Sequence, residues 1–264
     1  MSVCLSTALY EKTYQHYIDN DKLRGWLKKL NYKFDEIIIM FNNISDEGYQ
    51  KCLEYLNSID ENISHYRSVD QTEEVVKVFK LNPHYQYSQE YYYSIANFSQ
   101  IILSKSDYLM YICEDISLVN DCSKFVSQSI EVINNRQDCM GTGMNWTSPG
   151  YGPGYGDQPD GDSPKREEDA AENSFGIPLI RDENFRLTDS FGDHVYMISK
   201  KRAIETDYNT RHPVPSSRFP GYSGESFDKR INHYMHNNKL YRFVSKKCYY
   251  AHVGWPYYLK DETF

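Results

Sequence analysis

Apolar residues in this chain gather into short runs of strand length, separated by stretches with helical periodicity. The first run, Ser2–Ser6 (SVCLS), reads as a buried strand, and apolar and aromatic residues recur at helical spacing from there to about Leu30. Phe34–Phe41 (FDEIIIMF) is a second apolar run, closed by Asn42-Asn43, and Asp46–Ile59 reads as an amphipathic helix. Val75–Lys80 (VVKVFK) predicts a third strand, Tyr91–Ser104 (YYYSIANFSQIILS) a helix, and Asp107–Ile112 (DYLMYI) a fourth strand. Strand and helix in alternation predict an α/β fold with a mostly parallel central sheet flanked by helices. Ligands of open α/β sheets sit beyond the carboxyl ends of strands, so the candidate positions are Ser6–Tyr10, Asn42-Asn43 and Cys113-Glu114-Asp115.

Between Thr142 and Glu183 this pattern stops. Gly, Pro, Asp and Glu dominate, as in SPGYGPGYGDQPDGDSPKREEDAAE, with hardly an aliphatic residue to bury, so no regular element is predicted there. The segment reads as a mobile loop over the site, with an interdomain linker as the alternative. Its Trp146, Tyr151 and Tyr155 offer rings on which a sugar can stack. Beyond it, His194–Ser199 (HVYMIS) predicts a strand, Glu225–Asn238 a helix and Leu240–Val253 a pair of strands. One domain in three parts results: residues 1–141 as the α/β part, 142–183 as the loop, and 184–264 as a mixed C-terminal part. No internal repeat is visible.

Composition narrows the class. The 264 residues are 40% apolar and 15% aromatic, with 25 tyrosines, a globular balance in which Tyr serves both packing and hydrogen bonding. Six cysteines without a CxxC pair suggest neither a zinc knuckle nor a disulfide ladder, and read as reduced thiols. With no signal-peptide pattern and no stretch of transmembrane length, a cytoplasmic setting is expected, without membrane insertion, and Asn145-Trp146-Thr147 is a sequon by coincidence. A net charge of −8 opposes nonspecific binding to polyanions. The charge is uneven, since 12 Lys or Arg against 6 Asp or Glu from Val195 onward make that part +6 and the first 194 residues −14. A basic C-terminal face suits phosphates, although solvation alone also explains it.

The acidic pair Glu114-Asp115 follows directly on the apolar run YLMYI, where burial is costly unless the charges meet a cation. Transfer of a group from a nucleoside diphosphate requires the leaving pyrophosphate to be neutralised, and Mg²⁺ or Mn²⁺ held by a few carboxylates does this. The same pair also reads as a helix cap or a solvated turn.

SKSDYLMYICEDISL resembles the acidic strand-end motif of GT-A glycosyltransferases, inverting and family-two-like. The resemblance covers roughly the first 120 residues and resumes near the end. It implies a GT-A, Rossmann-like fold, a nucleotide-sugar donor with UDP favoured, and a divalent metal. The usual motif has two aspartates flanking one residue; here Cys113 or Ile116 takes one of those places, so Asp115 matches the metal ligand and Glu114 is the less regular one. The resemblance assigns the first strand end, Ser6, Thr7, Ala8, Tyr10 and Glu11, to base and ribose. Asn42 stands where the family often carries an aspartate that reads uracil, and an amide both donates and accepts.

FPGYSGESFDKRI, residues 219–231, resembles the Gly-aromatic-x-Gly-Glu-x-x-Asp turn of galactosyltransferase-like GT-A enzymes, whose acids meet the acceptor. That implies Tyr222 and Gly224, with Trp146, at the acceptor and a carboxylate base, Asp228 or Glu225, one helical turn apart. Acids in a first helical turn also stabilise the helix without any catalysis. Tyr249–Trp255 (YYAHVGW) places His252 where many GT-A enzymes have a late histidine that reaches the metal, with His194 a weaker competitor and a satisfied core histidine the plainer reading.

The expectation is therefore a metal-dependent, inverting glycosyltransferase using Mn²⁺ or Mg²⁺ and passing a sugar to a hydroxyl acceptor, a glycan first and a modified DNA base second. A nucleotidyltransferase also uses acidic strand ends, but STALYEKTY lacks the Gly-rich phosphate loop that class shows after its first strand. A noncatalytic carbohydrate-binding protein, with Tyr-rich stacking surfaces, is the third alternative.

Overall fold

The structure, a computed structural model, describes residues 1–81, 89–147, 182–212 and 226–252, with side chains throughout these ranges except at 89–93, 147 and 252. Nine strands are described: β1 (Val3–Leu9), β2 (Glu36–Phe41), β3 (Ile63–Arg67), β4 (Tyr108–Ile112), β5 (Ile116–Leu118), β6 (Cys139–Thr147), β7 (Phe185–Thr188), β8 (Val195–Ser199) and β9 (Tyr241–His252). The helices are α1 (Tyr14–Asp19), α2 (Lys22–Leu30), α3 (Asp46–Asn57), α4 (Thr72–Phe79), α5 (Gln89–Leu103), α6 (Phe125–Asn135), α7 (Lys200–Glu205) and α8 (Phe227–Asn238).

The strands form one sheet in the order β3-β2-β1-β4-β8-β6-β9-β5, with β7 on β9. β3, β2, β1 and β4 are parallel, as the alternation of strands and helices requires. β8 then runs antiparallel to β4, Ile112 opposite Val195, and opens the mixed C-terminal half. Side chains alternate across this sheet. Leu5, Leu9, Ile37 and Ile39 join α1, α2, α3 and α6 in one core layer, while Cys4, Ala8, Ile38 and Met40 join α4, α5, α7 and α8 in the other. The α/β class, the flanking helices and the mixed C-terminal part are as expected.

Several elements differ. Val75–Lys80 is not the third strand but most of α4, because Val75 and Phe79, the buried pair, lie one turn apart and Glu73 and Glu74 fill the first turn. The third strand is Ile63–Arg67, an edge strand only half-buried and so without an apolar run. The helical stretch before Leu30 breaks in two at Asp21, whose backbone is left-handed at φ 46°. The first six residues of 142–183 are not loop, since β6 runs to Thr147 with Gly141 and Gly143 buried in its ladder. A Cβ on Gly141 would lie 2.8 Å from the Met197 carbonyl, so glycine here permits close strand approach. Residues 148–181 of that segment lie outside the described residues.

Leu240–Val253 is no strand pair either. β9 is one long strand whose register against β6 jumps from Val244 opposite Gly143 to Tyr249 opposite Asn145. The intervening residues bulge, with Ser245 Oγ accepting from the Lys247 and Cys248 amides. All six cysteines are free thiols. Among the described residues no helix is long and apolar enough to cross a membrane.

Candidate active site

β4 lies between β1 and β8 with all five residues buried, and its carboxyl end delivers the acidic turn into the middle of the sheet edge. The turn is fixed by backbone bonds: the Cys113 amide donates to the His194 carbonyl at 2.8 Å and the Ile116 amide to the Cys113 carbonyl at 3.1 Å. Glu114 and Asp115 are only 3% and 5% exposed. Glu114 accepts from Thr13 Oγ1 at 2.9 Å and from the Cys113 thiol at 3.1 Å. Burial, then the Asp115 charge, push its carboxyl up to about 7. Ligand atoms of Cys113, Glu114 and Asp115 all lie within 4.8 Å of one another. Two desolvated carboxylates at that spacing fit a hard divalent cation, whose charge would offset their repulsion.

A buried ammonium flanks the turn. Lys22 on α2 donates to the Ile116 carbonyl at 3.3 Å and Ser117 Oγ at 2.8 Å, and Trp26 Nε1 donates to the same carbonyl at 3.1 Å. Burial lowers the lysine's pKa, while the charges of Asp115 and Glu114 act the other way.

The antiparallel β4–β8 pairing sets Val195 opposite Ile112, and the bond from the Cys113 amide to the His194 carbonyl carries it one step further. This brings in Asp193, which was passed over in the sequence except as the neighbour of His194. Its side chain is half-exposed. Protein walls around it raise its pKa, the Asp115 charge adds to this, and Arg242 and Lys229 oppose it. Asp228, in the first turn of α8, accepts from Ser226 Oγ; burial, then the Asp193 charge, push it up to about 7. Asp193 is thus in electrostatic reach of both the metal-type turn and the α8 carboxylate. A polar Gly-Asp-His immediately before an apolar strand was the available signal.

At the far end of β9, the His252 backbone pairs with Ile116, one residue from Asp115; its side chain lies outside the described residues. His194 Nδ1 lies 3.3 Å from the Tyr250 hydroxyl. Tyr250 is opposite Trp146 on β6, and Trp146 packs half-buried on the core. Asn145 is buried and accepts from Arg186 Nη2 at 2.8 Å, so the sequon asparagine is not a surface group.

The nucleotide expectations divide. Ser6, Thr7 and Ala8 are buried inside β1, which runs three residues past Ser6, and the Ser6 hydroxyl donates to Gln100 Oε1 at 3.0 Å. The strand end is therefore Tyr10, half-buried, with Asn42 beside it, whose backbone N–H donates to the Leu9 carbonyl at 2.9 Å. Glu11 is exposed and accepts from the Ser45 amide at 2.7 Å and Ser45 Oγ at 3.0 Å, tying this loop to the start of α3. Arg67, at the end of the unanticipated β3, lies over the Tyr49 ring at 4.4 Å and pairs with Asp46 at 2.6 Å. Tyr222, Gly224 and Glu225 lie outside the described residues.

No protein-family model matches the chain, and no curated protein matches its sequence. Among solved structures it is similar to mouse xyloside xylosyltransferase 1 in its apo form, at 11% identity and TM-score 0.49, over 92% of this chain and 85% of that one. It is similar to residues 1–349 of Staphylococcus aureus TarS, at 11% identity and TM-score 0.47, over 98% of this chain and 63% of that one. A third is the galactosyltransferase LgtC in complex with donor and acceptor sugar analogs, at 12% identity and TM-score 0.43, over 89% and 70%.

Proposed function

We propose that this chain is a metal-dependent, inverting glycosyltransferase that moves a sugar from a nucleoside-diphosphate donor, UDP favoured, to a hydroxyl of a glycan acceptor. The observation that carries the reading is the buried Glu114-Asp115 pair at a central strand end, with Asp193 in electrostatic reach of both Asp115 and Asp228.

In this reading Asp115 and Glu114 hold Mn²⁺ or Mg²⁺, with His252 as a third ligand supported by its backbone position beside Ile116. When bound, the cation neutralises the leaving diphosphate. Tyr10 and Asn42 line the nucleotide; Thr7, Ser6 and Ala8 support that strand end from inside the sheet, and Glu11 anchors its loop. Asp228, or Glu225 near it, takes the proton from the acceptor hydroxyl as its oxygen attacks the anomeric carbon and the bond to the diphosphate oxygen breaks. Trp146, Tyr222 and Gly224 shape the acceptor side.

Isothermal titration with UDP and Mn²⁺, beside a screen of nucleotide sugars for metal-dependent hydrolysis, tests this. Asp115→Ala should lose metal-dependent UDP binding and turnover while keeping its fold by circular dichroism. Unchanged nucleotide affinity in that variant would sink the reading. Failure of the unaltered chain to bind UDP would favour a noncatalytic sugar-binding protein, and turnover of a nucleoside triphosphate a nucleotidyltransferase.

A further inference from the structure

Arg242 reaches the site through space that glycine leaves open. It stands near the start of β9, buried, with Gly141 its partner on β6. A Cβ on Gly143 would come within 3.2 Å of its Nε, and one on Gly192 would overlap its Nη1. The guanidinium therefore lies against the residue directly before Asp193.

The Asp193 carboxyl is turned to other use than packing. It is half-exposed, its contact with His194 Nε2 is a loose 3.9 Å, and among the described residues no other side chain donates a hydrogen bond to it. A carboxylate has acceptor positions for about four hydrogen bonds. Asp193 stands between two anchored residues: the His194 carbonyl accepts from the Cys113 amide of the acidic turn at 2.8 Å, and the Phe191 amide donates to Asn232 Oδ1 on the helix of Asp228 at 2.5 Å. If the turn binds the diphosphate and Asp228 the acceptor hydroxyl, what lies between them is the ring of the sugar being moved. This step rests on the glycosyl-transfer reading above.

We propose that Asp193 reads the transferred sugar, accepting hydrogen bonds from adjacent hydroxyls of a neutral pyranose, and that Arg242 is the positioning residue that holds it there. Neighbouring hydroxyls of a pyranose match the two oxygens of one carboxylate.

The test takes UDP-glucose, UDP-galactose and UDP-N-acetylglucosamine with Mn²⁺, selects the donor hydrolysed fastest, and then removes its ring hydroxyls one at a time as deoxy donors. In the unaltered chain one deoxy position should cost about tenfold or more in kcat/KM. Asp193→Asn should turn over the parent donor about 10- to 100-fold more slowly and be nearly indifferent to that same deoxy change. Mn²⁺-dependent UDP binding should stay equal in both, which also shows that the variant is folded. Arg242→Met should lose the discrimination and Arg242→Lys regain part of it. Equal deoxy penalties with Asp and with Asn at 193 overturn the proposal, as does loss of UDP binding in Asp193→Asn, which makes Asp193 part of the nucleotide site. If the unaltered chain binds no UDP, the glycosyl-transfer reading has failed first, and this proposal falls with it.

Discussion

Asp228 carries a carboxyl pushed up to about 7, first by burial and then by the charge of Asp193. A base acts only when ionised. Transfer should therefore fall as pH drops through about 7 and level off above it, with kcat/KM against pH as the measurement. Asp228→Asn should remove that limb together with about 10²- to 10⁴-fold of the rate; a profile flat on both sides of neutrality assigns the proton elsewhere. His236 on the same helix works in the opposite sense. Burial holds it below the ordinary imidazole value of 6.5, and His212 adds to this, against the Asp189 carboxylate 3.7 Å away. Its folded pKa is depressed, so the stability it contributes is whole above the unfolded value of 6.5 and is lost as pH falls from there through the folded one. Melting midpoints at about pH 7.5 and 5.5 should differ more in the unaltered chain than in His236→Gln.

Among the elements, α3 shows how local signals reach the site. Ser45 caps it, accepting from the Gly48 amide at 3.1 Å, while Ser45 Oγ donates to Glu11 from the first loop. Ser45→Ala should cost about 1 kcal/mol in denaturant unfolding. β6 is held by a different device. Gly141→Ala sets a methyl against the Met197 carbonyl, and the forced strand shift should cost about 1–3 kcal/mol, read in the same unfolding experiment. β1, β2, β4, β8 and α5 were legible because each is a buried run or an amphipathic stretch long enough to show its period. α4 was misread because five residues, VVKVF, fit either period, and β3 was missed because an edge strand buries little. β6 was hidden in glycines that serve close packing, though glycine in sequence first signals a turn.

At the scale of the molecule, the β4–β8 pairing joins the parallel part of the sheet to the mixed part, and Glu114, Asp115 and Asp193 stand at that seam. A ligand that bridges the seam should stabilise both halves at once. UDP with Mn²⁺ at about 100 times its Kd should raise stability by about 2.7 kcal/mol, seen as a higher melting midpoint. Asp115→Ala should show no such increment in the same thermal melt.

The chain by itself determined the α/β class, the strand YLMYI and the acidic turn after it, because burial and periodicity act over neighbouring residues. It also placed Asp228 at a helix start, a position that capping preferences make local. Only the tertiary structure decided that Asp193 stands near enough to feel the Asp115 charge, that Arg242 lies against Gly143 and Gly192, and that Ser6 and Ala8 lie inside the strand and away from its end. Those facts depend on strand order and register between segments some 80 residues or more apart, and no local pattern of apolar and polar positions encodes which strand lies beside which.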